Sequence, residues 1–80
     1  MKITTSKMLA NEIKNYRIKQ NLTQSEVGKI IGIRQTTVSA FENTPDSTKL
    51  ETLFKILYAL DLELTVTKRG NSNNGWQEEW

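Results

Sequence analysis

The stretch that decides the fold runs from Thr23 to Glu42 and reads TQSEVGKIIGIRQTTVSAFE. We expect a first short helix over about residues 24–31, because Thr23 is a good N-cap residue. Glu26 follows three residues later, and this spacing completes a capping box in which two backbone N–H groups at the helix start find acceptors. The sequence therefore predicts a sharply defined helix start at this point.

The same stretch also contains a turn and a second helix. Gly32 is the expected turn residue, since glycine adopts a left-handed backbone conformation at little cost, and the second helix runs over about residues 35–41. Gly28 is small, and it lies where two crossing helices need to approach closely. Apolar residues at helical spacing form the facing inner sides: Val27, Ile31, Ile33, Val38 and Phe41.

The outer side of the second helix carries no carboxylate, and its side chains are short or form hydrogen bonds. Such a face suits the major groove of DNA, where base edges and phosphates are read. The expected base-reading residues are Arg34, Gln35, Thr36 and Ser39. Gln35 is the strongest of them, because its amide can donate to adenine and accept from it at once, whereas Arg34 can reach guanine or a phosphate.

Four further residues are candidates for contacts with DNA phosphate. Gln24 and Ser25 lie at the N-terminus of the first short helix, where free backbone N–H groups favour an anion. Thr37 and Asn43 are weaker candidates for the same role.

The composition excludes most other functional classes. A chain of 80 residues forms one small domain that is marginally stable alone, so dimerisation would help it. The absence of cysteine and histidine removes thiolate ligands and the commonest general base. We therefore expect no enzyme, no catalytic residue, no metal and no cofactor. No apolar run is long enough for a signal peptide or a membrane span, so we expect a cytoplasmic protein with no membrane partner.

The charge is unevenly distributed along the chain. Residues 1–40 hold seven lysines and arginines and only two acidic residues, whereas residues 41–80 hold four basic and seven acidic residues. A basic half that carries the reading helix is what binding to phosphate requires. For any single lysine, a solvated helix face remains the better interpretation.

Two more helices are expected, one on each side of the central stretch. The first is capped by Ser6, covers about residues 7–20, and has an inner stripe of Leu9, Ile13 and Tyr16, with Ala10 beside it. The second is capped by Thr48, and Glu51 completes another capping box. Its apolar face is too wide for one intramolecular groove, so part of it is expected to contact a second subunit.

The apolar period changes to two after Asp61. Leu62, Leu64 and Val66 alternate with polar residues, which predicts a strand over residues 62–68 with one buried face. No other segment is typical of a strand, so the simplest partner is the same strand of a second copy, paired antiparallel. The expected dimer interface contains Leu57, Leu60, Leu62, Leu64 and Val66.

The last segment, residues 69–80, is rich in glycine, asparagine and serine and is acidic at its end, which is typical of a flexible tail. Tryptophan is a frequent hot-spot residue in interfaces. Trp80 is therefore either a docking anchor for a partner or an incidental exposed aromatic residue.

The central stretch resembles the helix-turn-helix of the lambda-repressor-like (Xre) family at residues 23–24, 32–33 and 41–43. The resemblance implies DNA binding. It also implies a partly buried structural ion pair between Arg17 and Glu42 that sets the first helix against the reading helix; the alternative is two exposed charges that do not meet. This chain departs from the family where the predicted strand replaces a fifth helix.

Nearly the whole chain also resembles the HipB antitoxins, at residues 8–11, 32–35, 41–43, 45–46 and 54–57, in the alternating strand and in the terminal Glu79-Trp80. This resemblance implies a dimeric repressor of its own operon that binds and neutralises a HipA-type toxin, a serine/threonine kinase. It also favours Trp80 as a toxin-docking residue. Thr36 stands where a smaller apolar residue can occur, which leaves the operator sequence open.

We therefore expect a mainly α protein with a four-helix, lambda-repressor-like DNA-binding domain over residues 1–61. Its reading unit is residues 23–42, followed by a dimerisation strand over 62–68 and the flexible tail. The dimer would place two reading helices about 34 Å apart on a palindromic double-stranded operator. Two alternatives stay open: a solitary phage-like repressor without a toxin, and a helical adaptor that binds only protein.

Overall fold

The computed structural model describes residues 2–69, which contain four α-helices and a short 3-10 turn. The elements are α1, Ser6–Lys19; α2, Gln24–Ile31; α3, Gln35–Asn43; the 3-10 turn, Pro45–Ser47; and α4, Leu50–Ala59. The expected four helices, with a helix-turn-helix at their centre, are confirmed. Within residues 2–69, no helix combines the length and the apolar character needed to cross a membrane.

A single apolar core holds the four helices together. Helix α2 packs against α3 and α4, and α1 packs against α3. Every helix contributes to the core, whose buried residues are Ala10, Ile13, Val27, Val38, Phe41, Leu53, Ile56, Leu57 and Leu60. Ile31 and Ile33, which the sequence placed on the inner side, are half-buried and pack against its edge.

Helix α1 is capped by Thr5 rather than by Ser6. The Oγ1 of Thr5 accepts a hydrogen bond from the N–H of Met8 at 3.1 Å, while Ser6 is the first helical residue. The Ser6 hydroxyl instead donates to the carboxylate of Asp46 in the 3-10 turn. A threonine and a serine stood side by side in the sequence, and both can cap a helix, so the pattern alone could not separate them.

The inner line of α1 also differs from the expected stripe. It passes through Ala10, Ile13 and Arg17, and the side chain of Arg17 is only 12% exposed. Tyr16 is one residue away from this line, which turns it by about 100° around the helix. It is therefore exposed, whereas the expected Leu9 is half-buried.

The predicted capping box of α4 is absent. Thr48 is extended, and Lys49 occupies the N-cap position without any side-chain hydrogen bond to the helix. The 3-10 turn causes this shift, because the N–H of Thr48 is already bonded to the carbonyl oxygen of Pro45 at 3.0 Å. Glu51 is then one position too early for a capping box, and it lies 3.6 Å from Lys55 instead.

Helices α1 and α4 end in the same way, each at a non-glycine residue with a left-handed backbone. Asn21 has φ 60° and Asp61 has φ 59°. Asparagine and aspartate are the residues that tolerate this conformation best after glycine. The two ends also meet, because the Nε2 of Gln20 donates to the carbonyl oxygen of Leu60 at 2.9 Å. These ends agree with the first helix expected over about residues 7–20 and with the change of apolar period expected after Asp61.

The residues assigned to the dimer interface divide into two groups. Leu57 and Leu60 are 3% and 1% exposed and belong to the core of the single chain, so their assignment to the dimer contact is wrong. Leu64 and Val66 are exposed, and Leu62 packs against the edge of the core. The wide apolar face of α4 is divided in the same way, since its Leu50 and Phe54 lie outside the core.

Residues 62–68 form neither helix nor strand in the described chain. A strand is defined by its hydrogen-bonded partner, and the partner expected from the sequence is a second copy of the same segment. The paired dimerisation strand therefore stays a prediction. Most of the expected tail, including Trp80, lies outside the described residues.

Candidate nucleic-acid interface

The turn between α2 and α3 is fixed by two glycines with different roles. Gly32 has φ 71°, the left-handed conformation expected of it, and ends α2. Gly28 accepts a hydrogen bond from the N–H of Ile33 at 2.9 Å. A Cβ atom at Gly28 would lie 2.6 Å from the carbonyl oxygen of Ile33, so no other residue fits there without moving the backbone. The close approach predicted at Gly28 is therefore to the turn that leads into α3.

The N-terminus of α2 has the capping box that the sequence predicted. The Oγ1 of Thr23 accepts from the N–H of Glu26 at 3.1 Å, and the Oε1 of Glu26 accepts from the N–H of Thr23 at 2.8 Å. This arrangement places Gln24 and Ser25, the two stronger phosphate candidates, in the first turn of the helix. They line a shallow cleft together with Gln35 of α3.

The reading face of α3 is open to solvent. Arg34, Gln35 and Thr36 are exposed, and Ser39 and Thr37 are half-buried. Arg34 holds the N-cap position of α3 without capping it through its side chain, so its guanidinium is not engaged by the helix start. Asn43 donates from Nδ2 to the Oγ of Ser39 at 3.1 Å, which places one phosphate candidate beside one base-reading candidate.

Arg17 and Glu42 form an ion pair beneath this face. The Nε of Arg17 lies 2.7 Å from the Oε2 of Glu42, and its Nη2 donates to the Oε1 of Glu42 at 3.1 Å. The side chains are 12% and 2% exposed, respectively. The remaining guanidinium nitrogen, Nη1, donates to the carbonyl oxygen of Leu22 at 2.8 Å. The pair therefore joins α1, the α1–α2 connection and α3.

A chain of hydrogen bonds connects this ion pair to the surface. The Nε2 of Gln24 donates to the Oε1 of Glu42 at 2.9 Å, and the Nε2 of Gln35 donates to the Oε1 of Gln24 at 2.5 Å. All four residues were candidates from the sequence, but the sequence did not predict that Gln24 contacts Gln35 or Glu42. Gln24 and Gln35 are each the first residue of a helix in the helix-turn-helix. This shared position is the feature of the sequence that could have indicated their contact.

The cleft thus gathers residues of both expected kinds. Gln24 and Ser25 at the start of α2 lie beside Gln35 at the start of α3, and Arg17 forms part of the floor. Amide and hydroxyl groups with adjacent helix N-termini can bind a phosphate, while the exposed face of α3 can reach base edges.

The chain is similar in sequence to a known family and to known proteins. Residues 13–66 match the helix-turn-helix family. The antitoxin HipB of Escherichia coli (strain K12) is 47% identical over 72 residues, which cover 90% of this chain and 82% of that protein.

Solved structures give the same result. The protein in a structure described as a HipB-O4 20mer complex is 48% identical and superimposes with a TM-score of 0.85, covering 86% of this chain and 97% of that one. The same identity, TM-score and coverage hold for a chain in a structure of a HipA-HipB-O2-O3 complex.

Proposed function

Because this chain belongs to the HipB antitoxins of the helix-turn-helix family, we propose that it is a dimeric, sequence-specific DNA-binding antitoxin. In this role it represses its own toxin–antitoxin operon, and it binds and neutralises a HipA-type serine/threonine kinase. Its activity is binding rather than catalysis. The observation that carries the proposal is the exposed face of α3 next to the N-terminus of α2, in a chain similar to the protein of the HipB-O4 20mer complex.

DNA recognition rests on two groups of residues. Gln35 is the main base reader, with Arg34, Thr36 and Ser39 at neighbouring positions on α3. Gln24 and Ser25 bind the phosphate backbone at the start of α2, and Thr37 and Asn43 assist from α3. The phosphate contacts fix the register of the protein on the duplex, and the contacts of α3 with base edges provide the sequence preference.

Dimerisation uses the apolar surface that the single chain leaves exposed. Three residues of α4 recur at four-residue spacing, Leu50, Phe54 and Tyr58, and they are 71%, 53% and 77% exposed. We define them as the α4 stripe. Leu64 and Val66 add exposed apolar area in the segment that follows α4. Contiguous apolar surface of this kind is typical of an interface, and a twofold dimer would also give residues 62–68 a strand partner.

Binding to DNA is tested by fluorescence anisotropy with the chain's own upstream DNA and with random DNA, at two salt concentrations. We expect tight, salt-sensitive binding that favours the upstream DNA. Gln35→Ala is expected to cost about 1–3 kcal/mol and to relax the preference at one base pair. Asn15→Ala, an exposed change on α1, is the control and leaves binding unchanged. Equal affinity for all sequences would contradict sequence-specific repression.

Binding to a toxin is tested by co-purification with a kinase encoded beside this gene. We expect a stable complex and loss of kinase activity within it. We propose that Trp80 contacts the toxin, so Trp80→Ala should weaken capture more than Trp76→Ala, the matched change in the same segment. A chain that binds its operator but captures no neighbouring kinase would instead be a solitary repressor. Failure to bind DNA combined with capture of a protein would favour the adaptor.

A further inference from the structure

Glu42 is a carboxylate whose side chain lies almost fully buried beneath the candidate interface. Its side chain is 2% exposed, and both of its oxygens accept hydrogen bonds from Arg17. An ionised carboxylate has acceptors only and no donor. Any amide that contacts Glu42 must therefore turn its nitrogen toward it.

Gln24 is the amide in that position. Its Nε2 donates to the Oε1 of Glu42 at 2.9 Å, which leaves its own oxygen facing away from the ion pair. That oxygen accepts from the Nε2 of Gln35 at 2.5 Å. A glutamine amide has one acceptor end and one donor end, so fixing the first amide fixes the second.

We propose that Glu42 is a positioning residue that sets, through Gln24, which hydrogen-bonding groups Gln35 presents to DNA. With one N–H of Gln35 bonded to Gln24, the amide has one N–H and its oxygen left for a base. One donor beside one acceptor matches adenine, whose N7 accepts and whose N6 donates in the major groove. Guanine presents two acceptors there, so the fixed amide discriminates against it.

The reverse arrangement is excluded by the carboxylate alone. If Gln24 were inverted, its nitrogen would donate to the oxygen of Gln35, and both N–H groups of Gln35 would face the base. Two donors match the N7 and O6 acceptors of guanine. Inversion would also direct the oxygen of Gln24 at the carboxylate of Glu42, where two acceptors repel. Glu42→Gln removes this repulsion, because the new amide can donate to Gln24.

This inference rests on the proposed reading of a base by Gln35, and its main test is a ratio of affinities. The base pair that Gln35 reads is found as the position where Gln35→Ala abolishes preference. Anisotropy then compares duplexes with adenine and with guanine at that position. A good bidentate contact discriminates by about 5- to 150-fold. We expect Glu42→Gln to reduce the adenine-to-guanine ratio below the lower end of this range, to less than about fivefold.

Two further variants separate positioning from stability. Gln24→Met keeps the side-chain length and the Arg17–Glu42 pair but breaks the chain of hydrogen bonds, so the ratio should fall in the same way. Leu53→Ala destabilises the buried core away from these residues and should keep the wild-type ratio. All variants are compared at a temperature where circular dichroism shows them folded. A wild-type ratio in folded Glu42→Gln and Gln24→Met would overturn the proposal.

A measurement without DNA distinguishes failure of this inference from failure of the proposed function. In the free protein, NMR follows solvent exchange of the Gln35 side-chain amide protons. We expect slowed exchange of one proton in the wild type, and faster exchange in Gln24→Met. If wild-type protein reads no base but shows this difference, the DNA-reading function fails while the orientation of Gln35 stands. If the exchange rates of the two proteins are equal, Gln24 does not hold the amide of Gln35, and Glu42 cannot act on Gln35 through it.

Discussion

Arg17 and Glu42 show how much of this small domain depends on single side chains. Removing one partner of a buried pair leaves an uncompensated charge. The free-energy cost of that charge is larger than the net stabilisation that the intact pair provides. Arg17 also holds the carbonyl oxygen of Leu22, so its loss would free a second acceptor. We expect Arg17→Met to lower the free energy of unfolding by about 3–5 kcal/mol, measured by urea denaturation.

The matched control for this change is Lys55→Met. Lys55 pairs with Glu51 on the surface of α4 at 3.6 Å, and their side chains are 47% and 77% exposed, respectively. Surface pairs contribute about 0–1 kcal/mol, so this variant should unfold near the wild-type midpoint. Equal losses in the two variants would show that the Arg17–Glu42 pair behaves as a surface pair in solution.

The two glycines of the turn should respond differently to a methyl group. Gly28→Ala forces a Cβ atom against the backbone oxygen of Ile33, so we expect a loss of about 1–3 kcal/mol in stability. It should also weaken DNA binding, because the backbone that must move leads directly into α3. Gly32→Ala has space around it but strains a left-handed backbone, at about 1–2 kcal/mol.

Urea denaturation and anisotropy on the same samples separate these two effects. Gly32→Ala should lose stability and retain the affinity for DNA of its folded fraction, and Gly32→Asn should lose less, because asparagine tolerates φ > 0. A Gly28→Ala protein with wild-type stability would contradict the close approach at this position.

At the scale of helices, the start of α4 offers a direct test of its cap. Lys49 has the extended backbone of an N-cap residue but makes no capping hydrogen bond. We expect Lys49→Asp to raise the free energy of unfolding by about 0.5–2 kcal/mol, since its carboxylate can accept from the free N–H groups of α4. Thermal unfolding measures the change.

Thr5 and Thr48 serve as controls for this prediction. Thr5→Ala removes an observed cap and should destabilise by about 1 kcal/mol, whereas Thr48→Ala should cost less, because Thr48 caps no helix. If Thr48→Ala proved as costly in stability as Thr5→Ala, the result would support Thr48 as the N-cap of α4, as the sequence predicts.

The starts and ends of helices were predictable where the local residues allow a single pattern of capping. Thr23 with Glu26 and the left-handed Gly32 specify α2 through backbone hydrogen bonds within a few residues. The start of α4 was not predictable, because the 3-10 turn shifts the helix by one residue, and the spacing of Thr48 and Glu51 does not encode that shift. Leu57 and Leu60 were misassigned for a related reason: helical period locates an apolar face but not which part of it a neighbour covers.

The candidate interface was predictable as a set of residues and not as a network. Side-chain type and position predict that Gln24 and Gln35 both contact DNA, and this stays a prediction. Their mutual contact depends on the angle between α2 and α3, which Gly28 and the core determine together. Such long-range geometry is absent from a local pattern, so the bond from Gln24 to Glu42 required the structure.

At the scale of the whole molecule, the α4 stripe is expected to make stability depend on concentration. Phe54→Ser combined with Tyr58→Ser removes exposed apolar area without touching the core of the single chain. We expect sedimentation equilibrium to show a shift from dimer to monomer. The wild-type melting temperature should also rise with protein concentration, because dimerisation stabilises only the folded chain.

Ile30→Ser is the control for this experiment. Ile30 is another exposed apolar residue, 52% exposed, but it lies on α2 rather than on the α4 stripe. This variant should remain dimeric. A dimer that survives loss of the α4 stripe and dissociates in Ile30→Ser would move the subunit interface to α2.

The chain of hydrogen bonds from Arg17 to Gln35 crosses three helices, and it limits how this protein can be re-engineered. A graft that moves only α3 to another scaffold carries Glu42 and Gln35 but leaves behind Gln24 and Arg17. The transplanted amide would lose its support, and the buried carboxylate would lose its cation. The smallest segment that keeps all of these hydrogen bonds in a graft therefore extends from α1 through α3.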